Sequence, residues 1–368
     1  MFDFTIAMVT VGPSLERNPK HPSLDQGDSV KISHPGAIKK LRELFGAPMP
    51  EIEARFSPYF YRYFKRLQTP SRFDGYIYLC QSLFRITRAN NAFVLDLGCG
   101  FGVMATFFRV FGAKEVIGYD LNTEKVELFK RLLTYLRPEI NNVEPIFGDS
   151  SKIPFPEASF DVVIANESVS HFGDLDASLQ EAYRVLKIGG ALLIRDGNNS
   201  LFLPGRIRRR QFWRRVEEGP VNPDWFRGTD LPLPYKEVRK RMIQEKYPSL
   251  RSEEILKLAE KTGGMFGDEI FNAVDEFRKS GTFPKRSFFR YRNPITGEFP
   301  EKEINPLKLK KALKAKGFCV SFVPYFHSKS FRDLEMSVKS VSHVLESHLY
   351  MGHLFLIPGF ALLGIKTK

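Results

Sequence analysis

The sequence predicts an α/β protein built around a mostly parallel sheet. Short apolar segments alternate with amphipathic segments of helical spacing between residues 93 and 196, a pattern typical of strands that are joined by helices. The first apolar segment also runs directly into three closely spaced glycines, Gly98, Gly100 and Gly102. A strand that ends in a glycine-rich turn before a helix indicates a ligand site at the carboxyl edge of the sheet.

The first strand and its glycine loop read VLDLGCGFG, from Val94 to Gly102. Glycines remove side chains where the chain turns, so backbone N–H groups can face a ligand. The loop departs from the dinucleotide-binding pattern G-x-G-x-x-G, because its third glycine comes one residue early and Asp96 lies inside the strand. Alternatively, these glycines only allow the following helix to pack tightly and bind no ligand.

Four further strand segments follow in order. The second, EVIGYD, ends in Asp120, where a carboxylate can accept hydrogen bonds from both hydroxyls of a ribose. Asn122 or Thr123 caps an amphipathic helix that runs to Leu136. The third, fourth and fifth strands are predicted over residues 143–149, 160–165 and 187–196, with a helix over 175–186 before the last of them.

Elements outside this core complete the predicted fold. Helices are predicted over residues 76–86, 252–262 and 269–279. Another helix follows Asn305, with Pro306 at its first position and Gly317 at its end. The two last strands, over residues 318–326 and 358–367, are predicted to pair as an antiparallel hairpin, and the segment 327–356 between them is predicted to be largely helical.

Taken in order, the glycine loop, the strands that end in acids and the later Gly-Gly turn resemble class I S-adenosylmethionine (SAM) dependent methyltransferases. The resemblance covers about residues 93–196. It implies a Rossmann-like, seven-stranded, mostly parallel sheet with an antiparallel C-terminal hairpin, together with a helical lid and helical insertions. It also implies that SAM is the cofactor and that methyl transfer is the reaction.

The resemblance further implies which residues hold SAM. The methionine end would lie on the glycine loop, the ribose at the end of the second strand, and the adenine at the end of the third. The implied cofactor-binding residues are Asp96, Gly98, Cys99, Gly100, Gly102, Asp120, Leu121, Asp149, Ser150 and Asn166.

We predict a division of the chain into four parts. Residues 1–90 are predicted to form a helical lid segment and residues 91–197 the SAM-binding core. Residues 198–304 are predicted to be an inserted region that holds the substrate determinants. Residues 305–368 complete the core and carry the 327–356 insertion.

A polar loop, NESVSHF, follows the fourth strand and resembles the acidic-plus-histidine loop of several small-molecule O-methyltransferases and sterol-type C-methyltransferases. An aliphatic hydroxyl is a poor nucleophile, so its methylation needs a base. His171 is the candidate general base, Glu167 is a lesser acid–base candidate, and Asp196 could orient the base. Alternatively, His171 packs beneath the substrate or caps the next helix, and turn chemistry alone explains Asp196.

The chain carries a net charge of +13, and six arginines lie between Arg206 and Arg215. Arginines mixed with aromatic residues suit phosphate contact and base stacking, but no base-methylating motif or RNA-binding module accompanies them. We therefore expect a small acceptor, anionic or lipid-linked, rather than nucleic acid, and an anionic membrane surface is the alternative contact. The residues expected to contact the acceptor are Asn198, Asn199, Arg206 and Trp213.

Two segments, NNSLFLPGRIRRRQFWRRVEEGP and NPITGEFPEKEINPLKLKKAL, are similar to methyltransferases of bacterial and archaeal surface-glycan clusters. That similarity favours the hydroxyl of a sugar or another polar molecule as the methyl acceptor. The alternatives are a lipid or isoprenoid acceptor, an RNA acceptor, and a SAM-binding protein without catalysis.

Cysteine and histidine usage predicts neither a metal site nor a disulfide framework. The three cysteines lack CxxC spacing. Four histidines lie near the end of the chain, but the last three are five residues apart. That spacing does not place them on one helical face, so they are not expected to form a metal site. The four histidines are His327, His343, His348 and His353.

The start and the end of the sequence predict a cytoplasmic protein, with membrane contact at most peripheral. The chain opens without a charged and apolar leader. The long apolar run over residues 349–365 contains Pro358 and Gly359, which would break a membrane-spanning helix.

Overall fold

The described part of the chain contains a seven-stranded sheet. The computed structural model describes residues 30–198, 200–220, 233–285, 291–297, 301–323, 325, 354 and 358–368. The strands are β1 (Phe93–Leu97), β2 (Glu115–Asp120), β3 (Val143–Phe147), β4 (Phe160–Asn166), β5 (Leu186–Gly197), β6 (Phe318–Val323) and β7 (Gly359–Lys366). Their order is β3-β2-β1-β4-β5-β7-β6, with β1 to β5 parallel and β7 antiparallel to both neighbours. The predicted fold class is confirmed.

The register of the strands brings their polar ends to one edge of the sheet. Asp96 of β1 lies opposite Gly118 of β2 and Ile164 of β4, and Asn166 of β4 lies opposite Arg195 of β5. Because these parallel strands end together, the glycine loop and the ends of β2, β4 and β5 share the carboxyl edge. Nearly continuous apolar runs bury β1, β2 and β4, as expected for a parallel sheet that helices cover.

Helices precede, connect and follow the strands. They are α1 (Pro35–Gly46), α2 (Met49–Arg55), α3 (Pro58–Phe64), α4 (Pro70–Ile86), α5 (Val103–Val110), α6 (Thr123–Leu136), α7 (Leu175–Val185), α8 (Leu203–Glu218), α9 (Tyr235–Lys246), α10 (Ser252–Lys261), α11 (Asp268–Ser280) and α12 (Pro306–Ala315). Two predicted caps are confirmed: Asn122 Oδ1 accepts from Lys125 N at 3.0 Å, and Asn305 Oδ1 accepts from Leu307 N at 3.0 Å.

The N-terminal helices pack an aromatic cluster against the glycine loop. The rings of Phe60, Tyr63 and Phe64 on α3 lie 5.4, 5.1 and 5.5 Å from the ring of Phe101, which stands between the second and third glycines. Such aromatic pairs contribute about 0.5–1.5 kcal/mol each beyond the area they bury. Helix α3 therefore contacts the loop where a lid is expected, and the lid function of residues 1–90 stays a prediction.

The inserted region has a hydrophobic core of its own. Helices α9, α10 and α11 bury apolar side chains together, among them Ile243 and Leu258, both 0% exposed. A buried ion pair joins Glu217 of α8 to Arg239 of α9, and Arg239 Nε donates to Ala259 O of α10 at 2.9 Å. Removing one partner of such a pair is costly because the other charge stays buried. The pair therefore fixes α8 to the rest of the region.

Several predictions concern residues outside the described part of the chain. The predicted helical insertion over 327–356 lies there apart from Leu354, and so do the four histidines near the end of the chain. Among the residues that are described, no helix has the length and apolar character that crossing a membrane requires. Lys31–Lys368 form one unit by their contacts, and the four-part division stays a prediction.

Candidate functional site

The glycine loop adopts backbone conformations that favour glycine. Gly98, Gly100 and Gly102 have φ values of 73°, 55° and 72°, in the left-handed region that other residues avoid. A Cβ at Gly98 would lie 2.5 Å from Ser168 Cβ, and one at Gly102 would lie 2.1 Å from the Phe129 ring. A Cβ at Gly100 would meet no described atom within 4 Å. Gly98 and Gly102 therefore leave no room for a larger side chain because neighbouring side chains pack against them. Gly100 borders open space that a ligand can enter.

Hydrogen bonds from the loop to β2 hold the glycines in place. Gly98 N donates to Tyr119 O at 2.7 Å, and Gly100 N donates to Asp120 Oδ2 at 2.8 Å. Asp120 Oδ1 in turn accepts from Asn122 N at 2.9 Å. Each carboxylate oxygen can accept two hydrogen bonds. Asp120 therefore orders the loop and keeps capacity for the hydroxyls of a ribose.

Asp96 is a buried carboxylate next to the loop. It is 2% exposed, and its Oδ2 has no hydrogen-bond partner among the described residues. Burial, and after it the charge of Asp120, raises the pKa of Asp96 to about 7. A buried polar atom without a partner indicates a missing polar ligand group. A cationic group fits best, because it would favour the ionised form of the carboxyl.

The raised pKa of Asp96 should make the stability of the fold depend on pH. The folded protein keeps the proton of the Asp96 carboxyl up to about pH 7, whereas the unfolded chain loses it near pH 3.8. The folded state therefore binds more protons between these two pH values. We expect the free energy of unfolding to fall by about 1 kcal/mol per pH unit as the pH rises through that window. Urea titrations between about pH 5 and about pH 6.5 measure the slope. Asp96→Asn should flatten it, and an unchanged slope in this variant would contradict the assignment.

Asp149 and Ser150, expected at the adenine, lie at the end of β3, and Leu121, expected at the cofactor, lies at the end of β2. Asp149 is exposed, and its Oδ1 accepts from Ser151 N at 2.8 Å. Ser150 Oγ lies 2.7 Å from Ser178 Oγ. Leu121 is 59% exposed. These neighbouring strand ends therefore present a hydrogen-bond acceptor and an apolar surface, which is the combination that a purine base needs.

Arg195 joins the ends of β4 and β5. Its Nη1 donates to Asn166 Oδ1 at 3.2 Å and to Glu167 Oε1 at 3.0 Å, and its Nε donates to Tyr325 O at 3.4 Å. Arg195 is 8% exposed, whereas Glu167 is exposed and has a φ of 53°. The buried guanidinium therefore orients two of the predicted site residues, Asn166 and Glu167, at the carboxyl edge.

His171 ends a 3-10 turn, Val169–His171, on the loop after β4, and it is exposed. Asp196 holds this turn: its Oδ2 accepts from Ser170 N at 2.9 Å and its Oδ1 from Ser170 Oγ at 3.1 Å. Burial raises the pKa of Asp196, and the bonds from Ser170 and Gly197 and the charge of His171 oppose that rise. The structure therefore brings His171 and Asp196 together, and a carboxylate near an imidazole stabilises its protonated form.

Lys302 binds the turn that carries His171. Its backbone N donates to Ser170 O at 2.8 Å, and its Nζ donates to Phe172 O and, at 2.7 Å, to Gly173 O. Burial lowers the pKa of Lys302. Because the accepting carbonyls stand on both sides of His171, this one residue of the inserted region fixes the backbone of the candidate catalytic turn.

Replacing Lys302 with methionine keeps the length of the side chain and removes its two hydrogen bonds to the turn. We expect the backbone amides of residues 168–173 to exchange hydrogen about tenfold faster, because bonds to a charged donor stabilise by about 1.5–3 kcal/mol. Exchange monitored by mass spectrometry checks this. Lys302→Arg should restore much of the protection, and Lys279→Met, on α11 with a 75% exposed side chain, serves as the matched control. Equal exchange in Lys302→Met and the original protein would contradict the role.

The arginines of α8 form ion pairs within the inserted region. Arg206 and Arg210 reach Glu303 at 3.3 and 2.5 Å, and Arg209 pairs with Glu301. Glu301 and Glu303 flank Lys302 in the sequence. The segment 301–303 therefore connects the arginine helix to the turn that carries His171.

Arg209 also interacts with the candidate catalytic residues. Burial lowers the pKa of Arg209, and the charges of Asp196, Tyr325 and Glu167 oppose that effect. The prediction from the sequence named Arg206, which pairs with Glu303 and whose Nε is buried with no hydrogen-bond partner among the described residues; its contact with the acceptor stays a prediction. The charge of Arg209 therefore links α8 to Asp196 and Glu167.

The other residues expected at the acceptor differ in their surroundings. Trp213 stacks on Tyr291 with ring centroids 6.5 Å apart, and its Nε1 is buried with no hydrogen-bond partner in the described residues. Asn198 is 1% exposed, and its Nδ2 donates to Leu354 O. Asn199 lies outside the described residues. Acceptor contact by Trp213, Asn198 and Asn199 stays a prediction, and the burial of Asn198 works against it.

Three residues that support the site were not predicted from the sequence: Ser170, Arg195 and Lys302. Ser168 and Arg209 lie in the polar loop and the arginine run that the sequence did indicate. An arginine inside the apolar fifth strand was an available signal for Arg195. Lys302 gave no such signal, because it is 130 residues away in sequence from one carbonyl that it binds.

The described residues contain no group of three or more histidine, cysteine or acidic side chains that could hold a metal ion. Cys80, Cys99 and Cys319 are free thiols. Burial raises the pKa of Cys99 well above its ordinary value, so its thiol stays protonated. A Cβ on Gly118 would lie 3.0 Å from Cys99 Sγ, which shows how closely the loop packs on β2.

Comparison with known proteins identifies the core of the chain. Residues 95–194 match a protein family described as a methyltransferase domain. The matched segment begins in β1, includes the glycine loop and ends in β5. The resemblance to methyltransferases, stated from the residues, is confirmed over this segment.

Curated relatives match the chain over about a hundred residues. A fatty-acid O-methyltransferase from Mycolicibacterium smegmatis is 34% identical over 112 residues, which are 30% of this chain and 39% of that protein. A demethylmenaquinone methyltransferase from Chlorobaculum tepidum is 36% identical over 101 residues, 27% of this chain and 39% of that protein. A sterol 24-C-methyltransferase from Pneumocystis carinii is 35% identical over 97 residues, 26% of each chain. The chain spans about two fifths or less of the length of these relatives.

One solved structure that the comparison matches to this chain is the YcgJ protein from Bacillus subtilis. It shares 15% sequence identity at a TM-score of 0.43, covering 78% of this chain and 98% of that one.

Proposed function

We propose, from the match of residues 95–194 to a methyltransferase domain, that the chain is a class I SAM-dependent methyltransferase and transfers the methyl group of SAM to a hydroxyl of a small polar molecule such as a sugar. The observation that carries the proposal is a buried carboxylate, Asp96, whose Oδ2 has no hydrogen-bond partner among the described residues, beside Gly100, which borders open space. A cationic ligand pressed against the glycine loop would satisfy both features.

The residues at the carboxyl edge fit SAM part by part. Asp96 would balance the positive charge of the methionine end, and Gly100 leaves room for it. Asp120 would accept hydrogen bonds from the ribose hydroxyls. Asp149 would accept a hydrogen bond from the adenine amino group, and the backbone N–H of Ser150 would donate one to the adenine ring. The other residues that the resemblance implies at the cofactor are Gly98, Cys99, Gly102, Leu121 and Asn166.

The chemistry needs a proton acceptor beside an aligned hydroxyl. When bound, SAM would supply a methyl group carried on a positively charged sulfur. The acceptor oxygen would take this methyl group in line, and S-adenosylhomocysteine would be the leaving group. His171 would take the proton of the acceptor hydroxyl, and Asp196 would stabilise the charged imidazole. Glu167, oriented by Arg195, is the second acid–base candidate. Helix α3 and the inserted helices would exclude water from this edge.

The charge of α8 supports an acceptor that carries anionic groups. Arg206 and Arg209 hold Glu303 and Glu301 in ion pairs that are about one third exposed. Partly exposed pairs of this kind contribute little net stability, so an anionic acceptor could replace either glutamate. Since Arg209 interacts with Glu167 and Asp196, an acceptor held by Arg209 would lie next to His171.

A lipid acceptor is the second candidate function. Two proteins that match part of the chain are named a fatty-acid O-methyltransferase and a sterol 24-C-methyltransferase. A fatty-acid carboxylate is already ionised near neutral pH and needs no base. Loss of His171 should therefore lower methylation of a sugar hydroxyl about 100-fold or more and leave methylation of a carboxylate nearly unchanged.

Calorimetric titration with SAM and with S-adenosylhomocysteine tests the proposal. We expect the protein to bind at least one of them with a Kd of about micromolar order, and Gly100→Ala to weaken that binding at least about tenfold, because the new Cβ occupies the space of the ligand. Gly189→Ala is the matched control: Gly189 has a φ of 79° and no described atom within 4 Å of an added Cβ, and it lies in β5 near the opposite end from Asp196.

Either outcome of this titration is informative. Binding that Gly100→Ala weakens and Gly189→Ala does not would support the cofactor site and justify acceptor screens with sugars, fatty acids and RNA, read out as S-adenosylhomocysteine release. Absence of binding to both ligands would overturn the proposed function. We also propose a cytoplasmic location, since the free thiols of the chain suit a reducing compartment.

A further inference from the structure

One face of α8 combines exposed apolar and basic side chains. At 3.6 residues per turn, positions three, four and seven residues apart fall on the same face. Leu203 and Ile207 are 57% and 48% exposed. The side chains of Arg210 and Arg214 are 60% and 76% exposed. The face therefore changes from apolar near the start of the helix to basic further along it.

The basic half of this face borders a surface depression. Its lining residues are Arg210, Gln211, Arg214, Tyr291 and Glu303. Arg210 pairs with Glu303 and Arg214 pairs with Glu218. Exposed ion pairs contribute about 0–1 kcal/mol, so both arginines can exchange these partners for a phosphate without a large loss of stability.

We propose that this face of α8 docks on a bilayer surface that carries anionic headgroups. Arg210 and Arg214 would bind the headgroup phosphates, and Leu203 and Ile207 would enter the boundary between headgroups and acyl chains. Charge complementarity favours this occupant, because the chain has a net charge of +13. Nucleic acid would use the arginines but would leave the apolar half of the face in water, since neither Leu203 nor Ile207 can stack on bases.

Docking through α8 would bring the candidate site close to the membrane. Arg209, on a different face of the same helix, interacts with Asp196 and Glu167 at the carboxyl edge. A helix with its side chains is about 10–12 Å across. The site would therefore lie within roughly one helix diameter of the bilayer surface. The docking itself does not depend on methyl transfer, so its test needs no acceptor.

Co-sedimentation of the full chain with vesicles tests the proposal. We expect binding to phosphatidylcholine vesicles that contain about 30% phosphatidylglycerol to be at least tenfold stronger than binding to pure phosphatidylcholine vesicles, and to weaken at high salt. Arg210→Gln with Arg214→Gln should reduce binding about thirtyfold, because each basic residue at an anionic surface contributes about fivefold. Leu203→Gln with Ile207→Gln should reduce binding about tenfold.

Two matched pairs of substitutions serve as controls. Arg251→Gln with Lys279→Gln removes the same charge from side chains that are 79% and 75% exposed, Arg251 at the N-cap of α10 and Lys279 on α11. Ile188→Gln with Leu256→Gln removes two other exposed apolar side chains. Neither control pair should change vesicle binding.

Three results would overturn the proposal. The first is equal binding to the two vesicle types, and the second is an equal loss in the control pairs and in the α8 pairs. The third is tighter binding to a short single-stranded RNA that depends on the arginines and not on Leu203 and Ile207, which would assign the face to nucleic acid.

Discussion

His171→Ala should lower turnover about 100-fold or more on a hydroxyl acceptor and leave SAM affinity nearly unchanged. A positioned base contributes about 10²–10⁴-fold to such a reaction, and His171 lies on a turn that Asp196 and Lys302 hold. The glycine loop and Asp120 are the residues proposed to hold SAM, so loss of the imidazole should leave SAM affinity nearly unchanged. Steady-state kinetics with an acceptor found by screening, together with SAM calorimetry, separates the two effects.

The pH dependence and a control histidine sharpen this experiment. Turnover of the original protein should fall on the acid side, because a protonated imidazole cannot accept a proton, and the variant should lose that limb of the profile. His34→Ala, at the start of α1, should leave turnover unchanged. Full activity of His171→Ala on a hydroxyl acceptor would remove His171 from the mechanism, whereas full activity confined to a carboxylate acceptor would support the second candidate function.

Asp120→Ala should weaken SAM binding by about 1.5–3 kcal/mol, roughly 10- to 150-fold. Hydrogen bonds to a charged group contribute on this scale, and here the carboxylate would bind the ribose and also orders the loop through Gly100 N. Calorimetry with SAM measures the loss. The SAM affinity of Asp120→Asn should lie between those of Asp120→Ala and the original protein. Its one remaining acceptor oxygen can keep the hydrogen bond to the loop or the hydrogen bond to the ribose.

Asp161→Ala is the matched control for this substitution. Asp161 also accepts a backbone N–H, from Phe93 at 2.9 Å, and it pairs with Lys187. Phe93 begins β1, so Asp161 lies at the opposite end of the strands from the glycine loop. Its loss should lower stability and spare SAM affinity. An Asp120→Ala variant that binds SAM as tightly as the original protein would refute the assignment of Asp120 to the ribose.

Much of the fold was predictable because its signals are local. Strand β1 and its glycine loop, β2 and the helix cap at Asn122 depend on neighbouring residues, and the structure has them where the sequence predicts them. Element ends were less accurate. Helix α4 begins at Pro70 rather than at residue 76. Strand β6 is described over Phe318–Val323, and residues 324 and 326 of its predicted end lie outside the described residues. An end is set by the last backbone hydrogen bond, which composition does not encode sharply.

The sequence by itself determined the parts of the site that local geometry dictates. Polar residues at the ends of parallel strands meet at one edge whatever the rest of the chain does, so Asp96, Asp120 and the glycines could be read from spacing and resemblance. Which of those glycines is required by close packing and which leaves room for a ligand could not be predicted in this way. Whether an added Cβ strikes a ring or enters open space depends on Phe129, which reaches Gly102 from another element.

Only the tertiary structure decided which side chains support the candidate catalytic turn. Asp196 binds Ser170 across 26 residues of sequence, and Lys302 reaches the carbonyl of Gly173 across 129. It also placed Arg209 of α8 where its charge interacts with Asp196. Hydrogen bonds and charges act over a few ångströms in space. Contacts between segments distant in the chain therefore follow from how the inserted region packs on the sheet, and local sequence pattern carries no signal for that packing.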